Sequence, residues 1–329
     1  MTRTLAAQHQ RFALHTPFRI SRGVKSAADV VTVTIREGDA VGRGEGVPYP
    51  RYGESVEGVL AQIAAVAGSV EGGAGRQTLL ALLPPGAARN AVDCALWDLE
   101  ARLGGRSVAA MLDSPAPGRI ASALTIVIDT PAAMARAAAA VARAPLLKVK
   151  VDAVDPATQI RAVRSAAPDA ALIVDPNESW DEASASAMRD VLVEARVALL
   201  EQPASADADG WLEGFDAGVP VCADESVHVA ADLDGLAGRY DVVNVKLDKA
   251  GGLTAALELA SAARARGMGL MTGCMVSSSL SIAPALHVAA VSDFVDLDGP
   301  WWLREDRVGG VRDDGGMLRP AARGFWGEP

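Results

Sequence analysis

Three carboxylates and two lysines recur along this chain at intervals of one strand plus one helix. Lys150 ends LLKVK, Asp175 ends ALIVD, Glu201 ends VALLE, Asp224 follows VPVCA, and Lys246 ends VVNVK. The successive intervals are 25, 26, 23 and 22 residues. Each group is therefore expected at the C-terminal end of a parallel strand, the face on which barrel enzymes do their chemistry. Three adjacent carboxylates repel and raise one another's pKa. A hard divalent cation held by oxygen alone removes that cost, and Mg²⁺ suits such a set. One carboxylate at a strand end most often caps the next helix. Three in succession, flanked by lysines, favour a metal site, so Asp175, Glu201 and Asp224 are the expected ligands, with Asn177 and Glu225 beside them.

Lys150 on the second of these strands and Lys246 on the sixth are expected to face each other across the barrel mouth. A partly desolvated lysine near a cation has its pKa lowered and can act as a base near neutral pH. Two bases on opposite faces of one carbon move a proton from one side to the other, which suits racemisation or epimerisation. The cation would bind the substrate carboxylate and stabilise the enediolate formed on deprotonation. Simple ion pairing explains one of these lysines more easily than two at opposite strands.

The elements that must position these groups are legible in the apolar pattern. After Arg119, short apolar runs recur at Ala123–Ile128, Leu146–Val151, Ala171–Val174, Val197–Leu200, Val219–Cys222, Val242–Val245, Gly269–Thr272 and Phe294–Val295. Alanine-rich helical stretches separate most of them. Continuous apolar strands alternating with helices signify a buried parallel sheet, and eight such units predict a closed α/β barrel. Before it, Val30–Ile35 is β-branched throughout and predicts a strand, with a Gly-rich turn expected over Gly38–Gly46. Ala87–Leu103 repeats its apolar residues with helical period. Residues 1–115 thus read as an α+β unit and 116–304 as the barrel. Residues 305–329, rich in Gly, Arg and Pro, are expected to form a tail packing back on the first unit.

Composition narrows the class. Half of the 329 residues are hydrophobic, enough for a large core. A net charge of −10 argues against nucleic acid as a partner. Three scattered cysteines, with no CxxC, point to neither a disulfide framework nor a zinc site, and a cytoplasmic location is expected. No apolar run is long enough to span a membrane. No GxGxxG follows an early strand, His9, His15, His228 and His287 do not cluster, and no GxSxG elbow surrounds Ser277–Ser281.

The ordered series KVK, VDPNESW, EQP, ADES, NVKLDKAGGLT and DLDGP resembles the enolase superfamily, in its muconate-lactonizing-enzyme-like subgroup, and within it the dipeptide epimerases. YPRYGES, GAARNAVDCALWDLEAR and GCMVSSSLS extend the resemblance over nearly the whole chain. It implies a modified (β/α)7β barrel with an N-terminal α+β capping domain. It implies Mg²⁺ on Asp175, Glu201 and Asp224, and acid/base roles for Lys150 and Lys246, with Lys148 lowering the pKa of Lys150 by like-charge repulsion. Asp296 and Asp298 of DLDGP would hold the ammonium of an N-terminal amino acid. Arg19 and Arg22 of PFRISRG lie in the loop that covers the site, where a cation fits a glutamate side chain. Tyr52 and Gly53 would line the same lid, and Gly273, Cys274 and Met275 the pocket after the seventh strand. The activity implied is epimerisation of a dipeptide such as L-Ala-L-Glu, with a role in recycling murein peptides. Muconate cycloisomerase or o-succinylbenzoate synthase chemistry shares the metal and lysine pattern but has no use for an ammonium-binding DxD. A non-catalytic ligand-binding barrel is the reading from another class. The expected partner is a small dipeptide, and the oligomeric state stays open, a homo-oligomer included. Pro176 stands where alanine is expected, and it restricts the backbone of Asp175.

Overall fold

The computed structural model describes residues 2–329. The chain opens with three antiparallel strands, β1 (Arg3–Ile20), β2 (Gly23–Glu37) and β3 (Ala40–Gly46), followed by helices α1 (Val56–Glu71), α2 (Arg76–Leu82), α3 (Ala87–Gly104) and α4 (Val108–Met111). The β-branched run Val30–Ile35 is in β2 as predicted. The Gly-rich stretch that follows is a turn only at its start and then continues as β3. Its glycines are there for packing. A methyl group added to Gly42, Gly44 or Gly46 would lie 2.1 Å from the carbonyl oxygens of Ala95, Ala91 and Ala87 respectively. Every second residue of the strand meets every fourth residue of α3, so strand and helix touch backbone to backbone. Val31, Val33 and Ile35 bury against Val59 and Ile63 of α1 and Ala91, Ala95 and Leu99 of α3.

A short strand β4 (Ile120–Ala121) precedes the barrel, whose strands are β5 (Leu124–Ile126), β6 (Leu146–Lys150), β7 (Ala171–Asp175), β8 (Val197–Glu201), β9 (Val221–Ala223), β10 (Val242–Val245), β11 (Gly269–Gly273) and β12 (Phe294–Asp296). They lie parallel in sequence order. The Ala123 N–H donates to the Val295 carbonyl at 2.8 Å, bringing the last strand round to the first. Helices α5 (Pro131–Ala140), α6 (Pro156–Ala166), α7 (Glu182–Glu194), α8 (Leu247–Ala250), α9 (Leu253–Ala265) and α10 (Ser279–Ala289) fill most crossovers. After β8 and β9 the connections hold only 3₁₀ turns, Ala206–Leu212 and Ala230–Gly235. The chain closes with a hairpin, β13 (Arg312–Asp313) and β14 (Met317–Arg319), that adds to β4. Beyond it, Trp326 Nε1 donates to the Arg43 carbonyl at 3.0 Å, and the Val108 N–H to the Gly327 carbonyl at 2.8 Å.

The period-2 alternation of the strands sorts the barrel residues. Leu147, Val149, Leu172, Val174, Leu200, Val243 and Val245 face the helices. Leu146, Ile173, Leu199, Cys222, Val242 and Met271 form a separate cluster inside the barrel. Two residues further along the same strands the inward positions become Lys148, Asp175, Glu201, Asp224 and Asn244, and two further again Lys150 and Lys246. The barrel is thus apolar at its floor and charged at its mouth.

Candidate functional site

The inward residues at the C-terminal ends of six strands meet in a cavity of about 490 Å³. It is lined by Lys148, Lys150, Asp224, Lys246, Asp296 and Asp298 from the barrel, and by Phe18, Ile20, Arg22, Lys25, Tyr49 and Tyr52 from the cap. Cys274, Met275 and Asn177 also reach it. Asp175 and Glu201 lie beneath the lining, fully buried.

The charges form one connected cluster. Lys148 Nζ lies 2.7 Å from Glu201, 2.9 Å from Asp296 and 3.1 Å from Asp175. Lys150 Nζ lies 2.5 Å from Asp175 Oδ2. Lys246 Nζ lies 2.7 Å from Asp224 Oδ2, and Lys249 Nζ lies 2.6 Å from Asp224 Oδ1. Burial alone would push the Lys148 ammonium to lower pKa, but Asp296, Glu201 and Asp175 outweigh it and hold it well above the usual lysine range. Lys246 is likewise raised, burial being overcome chiefly by Asp224. Burial would raise Asp224, and Lys246 and Lys249 bring it well below the usual range. Lys148 and Lys246 are thus drawn toward the ammonium form by their carboxylate partners. The lowering expected of Lys246 belongs to the state in which a cation takes over the charge of Asp224.

Whether this donor set fits a divalent cation can be tested on its oxygens. Asp175, Glu201 and Asp224 end three adjacent strands, and their charge is compensated by ammonium groups. Among the described residues, no three His, Cys, Asp or Glu side chains are gathered closely enough to form a ligand set as they stand. Even so, buried acceptors remain in surplus. Glu201 Oε2 accepts no hydrogen bond, although Lys148 Nζ is near it, and Asn177 Oδ1 and Asn244 Oδ1 accept none either. Buried oxygens in excess of donors, all of them hard, fit Mg²⁺.

Local backbone places the first carboxylate. Asn177 and Glu178 both adopt left-handed conformations, φ 47° and 67°, directly after Pro176. Such conformations cost about 1–3 kcal/mol each for residues with a side chain. The turn brings the Asn177 N–H to Asp175 Oδ1 at 2.8 Å and Asn177 Nδ2 to Asp175 Oδ2 at 3.2 Å. Glu178 is fixed in return by both arms of Arg51, each at 2.8 Å. Gln202, also left-handed at φ 34°, accepts the Asp224 N–H at 2.7 Å and so holds the third carboxylate.

The cap residues fall differently from expectation. On β1 the alternation turns Phe18 and Ile20 toward the cavity and Arg19 toward solvent, so Arg19 lines nothing. Arg22 does reach the cavity, but its donors are committed. It donates to the Asn177 carbonyl and to Glu178, each at 3.0 Å, and to Glu225 Oε1 at 2.7 Å. The cation left over is Lys25, which pairs with no carboxylate among the described residues and sits 4.4 Å from the Tyr49 ring centroid. Burial lowers its pKa. Nothing in a single sequence separates Lys25 from Arg22, because the hairpin register decides which of them is spent. Tyr52 lines the cavity, with its ring edge on His228, while Gly53 ends the turn before α1 at φ 74°. Gly273 contributes by lacking a side chain: a methyl there would lie 2.6 Å from Asn244 Oδ1 and 3.0 Å from Lys246 Cε. Lys249, Gln202, Asn244 and Thr125 escaped the sequence reading. Only Lys249, one helical turn beyond Lys246 in NVKLDK, carried a signal that could have found it.

Residues 132–325 match the family model Enolase C-terminal domain-like, and residues 2–113 match Mandelate racemase / muconate lactonizing enzyme, N-terminal domain. The chain is 48% identical to L-Ala-D/L-Glu epimerase of Escherichia coli (strain K12), over 92% of its length and 95% of that protein. It is 42% identical to N-acetyl-D-glutamate racemase of a Pseudoalteromonas species, over 91% of its length and 95% of that protein. The fold superposes with a TM-score of 0.96 on an enolase family member from Agrobacterium tumefaciens with homology to dipeptide epimerases. That structure has bound sodium and L-Ala-L-Glu with an ordered loop; it is 48% identical, covering 99% of this chain and 100% of that one.

Proposed function

Since this chain belongs to the mandelate racemase/muconate lactonizing enzyme family of the enolase superfamily, we propose that it is a Mg²⁺-dependent dipeptide epimerase acting on L-Ala-D/L-Glu. The observation that carries the reading is the opposition of two lysines: Lys150 and Lys246 follow strands four places apart in an eight-stranded ring, β6 and β10, and both line one cavity. A substrate α-carbon between them has a lysine on each face. One neutral lysine takes the α-proton, and the other, protonated, returns one from the opposite side. Asp175, Glu201 and Asp224 are the ligands we assign to the metal, which when bound supplies positive charge that stabilises the enediolate. Lys148 adds a fixed ammonium within the same cluster.

Asp296 and Asp298 are assigned to the substrate ammonium. Asp296 Oδ1 is buried without a hydrogen bond, and the carboxyl of Asp298 is pushed up to about 7 by burial and by Asp296. A cation brought between them relieves both costs. Lys25 is assigned to the side-chain carboxylate of the C-terminal glutamate. The capping unit, 1–115, supplies that contact and the barrel, 116–304, the chemistry; the tail, 305–329, adds its hairpin to β4 and reaches the cap with Trp326 and Gly327. The product dipeptides suit murein peptide recycling in the cytoplasm.

N-acylated glutamate, the substrate in one relative's name, is the second reading. It brings no ammonium, and the buried aspartate pair favours the free amine. Incubation with L-Ala-L-Glu and Mg²⁺ in D₂O is expected to yield L-Ala-D-Glu with deuterium on the glutamate α-carbon. Chelation should stop the exchange and Mg²⁺ restore it. No exchange with any member of a broad dipeptide library sinks the proposal; exchange with N-acetylglutamate alone selects the second reading.

A further inference from the structure

One carboxylate of the pair at the barrel mouth is joined to the cap by a single aromatic residue. Asp298 Oδ2 accepts the Thr125 N–H at 2.8 Å and the indole N–H of Trp302 at 3.2 Å. The Thr125 side chain is a further hydrogen-bond partner of the same carboxylate. These neutral donors, two from Thr125 and one from Trp302, fix the carboxylate plane and leave part of its four lone-pair sites for a ligand. Trp302 itself is buried. Its ring meets Phe18 edge-on, with centroids 4.8 Å apart at 82°, and stacks on His15 at 5.8 Å and 14°. Phe18 lines the cavity and is the register partner of Lys25 across the β1–β2 hairpin. The next residues continue the link: Leu303 bridges Leu14, and the Arg304 N–H donates to the Ala13 carbonyl at 2.8 Å. The indole therefore touches the group assigned to the substrate amine with its N–H and the strand that carries the hairpin with its ring.

We propose that Trp302 is a specificity-determining positioning residue: its N–H aims Asp298 at the substrate's free amine, and its ring seats the hairpin that presents Lys25. The proposal rests on the dipeptide reading above. An unaimed Asp298 still attracts an ammonium, but the charge-assisted bond is poorly aligned and weaker, so the margin over an uncharged acyl amide narrows.

The test compares L-Ala-L-Glu with N-acetyl-L-Ala-L-Glu on the Mg²⁺-loaded enzyme. Trp302→Phe keeps an aromatic ring beside Phe18 and removes the donor. It is expected to raise KM for the free dipeptide about 10-fold with a smaller change in kcat, as loss of one hydrogen bond to a charged group implies. The acetylated compound should change little, so the preference for the free amine falls. In an Asp298→Ala background, which removes the acceptor, the same substitution should have no further effect on the amine preference. Phe18→Leu keeps the donor and loosens the seat, and is expected to keep the amine preference while lowering the preference for L-Ala-L-Glu over L-Ala-L-Leu. Equal losses on both compounds in Trp302→Phe, additivity with Asp298→Ala, or loss of amine preference in Phe18→Leu each overturn the proposal. A wild-type enzyme that epimerises L-Ala-L-Glu without preferring the free amine overturns it too, and leaves the epimerase reading standing. A wild type inactive on every dipeptide removes the reading on which it rests.

Discussion

Arg22 Nη2 lies 2.7 Å from Glu225 Oε1, so the tip of the capping hairpin is fastened to the residue that follows Asp224. The same guanidinium reaches the Asn177 carbonyl and Glu178. One side chain on the cap thus grips the loops after both β7 and β9.

Removing that grip should loosen the cover without touching the lysines. Arg22→Met is expected to raise KM for L-Ala-L-Glu roughly 10-fold or more, since truncating one partner of a hydrogen-bonded charge pair leaves the other carboxylate stranded. Protease cleavage at the Ile20–Lys25 hairpin should accelerate in parallel. An unchanged KM with unchanged proteolysis is the contrary result.

Lys25 should govern which C-terminal residue is accepted. Lys25→Met is expected to lower kcat/KM for L-Ala-L-Glu about 10-fold or more, as expected for a lost ion pair in a half-buried pocket, and to leave or improve activity on L-Ala-L-Leu. Paired kinetics on the two dipeptides measure it. A uniform loss on both would assign Lys25 to general architecture.

The two bases separate in isotope exchange. Lys150→Ala and Lys246→Ala should each abolish epimerisation, while each retains exchange of the α-proton of one enantiomer only. NMR of L-Ala-L-Glu and L-Ala-D-Glu in D₂O distinguishes them. Epimerisation by either variant refutes the two-base arrangement.

A buried acid beneath the cap should make stability fall as pH rises. Asp248 accepts the Val47 N–H at 2.8 Å and Asn90 Nδ2 at 2.7 Å, and burial pushes its carboxyl up to about 7. An unfolded aspartate titrates near about 3.9. Between these values the folded state holds a proton that the unfolded chain has lost, so unfolding free energy decreases as pH rises from about 4 to 7. Asp248→Asn keeps the accepting oxygen and removes the titration. Its melting temperature should exceed that of the wild type at pH 8 and approach it at pH 5; parallel profiles contradict the assignment.

Much of this was legible in the sequence because strand ends and apolar runs are local signals. The eight barrel strands and the positions of Lys150, Asp175, Glu201, Asp224 and Lys246 follow from one repeated spacing. The rest depends on contacts that spacing does not encode. β1 runs over 18 residues with little apolar alternation and is recognisable only through its pairing with β2. Arg19 faces outward and Lys25 remains free because of hairpin register. Gln202 is placed by a left-handed backbone and Trp302 by a ring packed on another domain, and neither has a sequence period. The glycines of β3 read as a turn because the helix that requires them lies more than 40 residues away.

Those glycines have a mechanical consequence. With Gly42, Gly44 and Gly46 in backbone contact with α3, no compressible layer separates sheet from helix. The helix in turn is bolted to the barrel, Arg89 donating to the Ala250 and Gly251 carbonyls and Asn90 to Asp248, immediately beyond Lys246. The cap can hardly flex within itself. The one interruption in the long β1–β2 ladder is the register break between Ala13 and Phe18. The cavity is covered by the short arm beyond that break, while everything behind it forms a mount that keeps Lys246 in place.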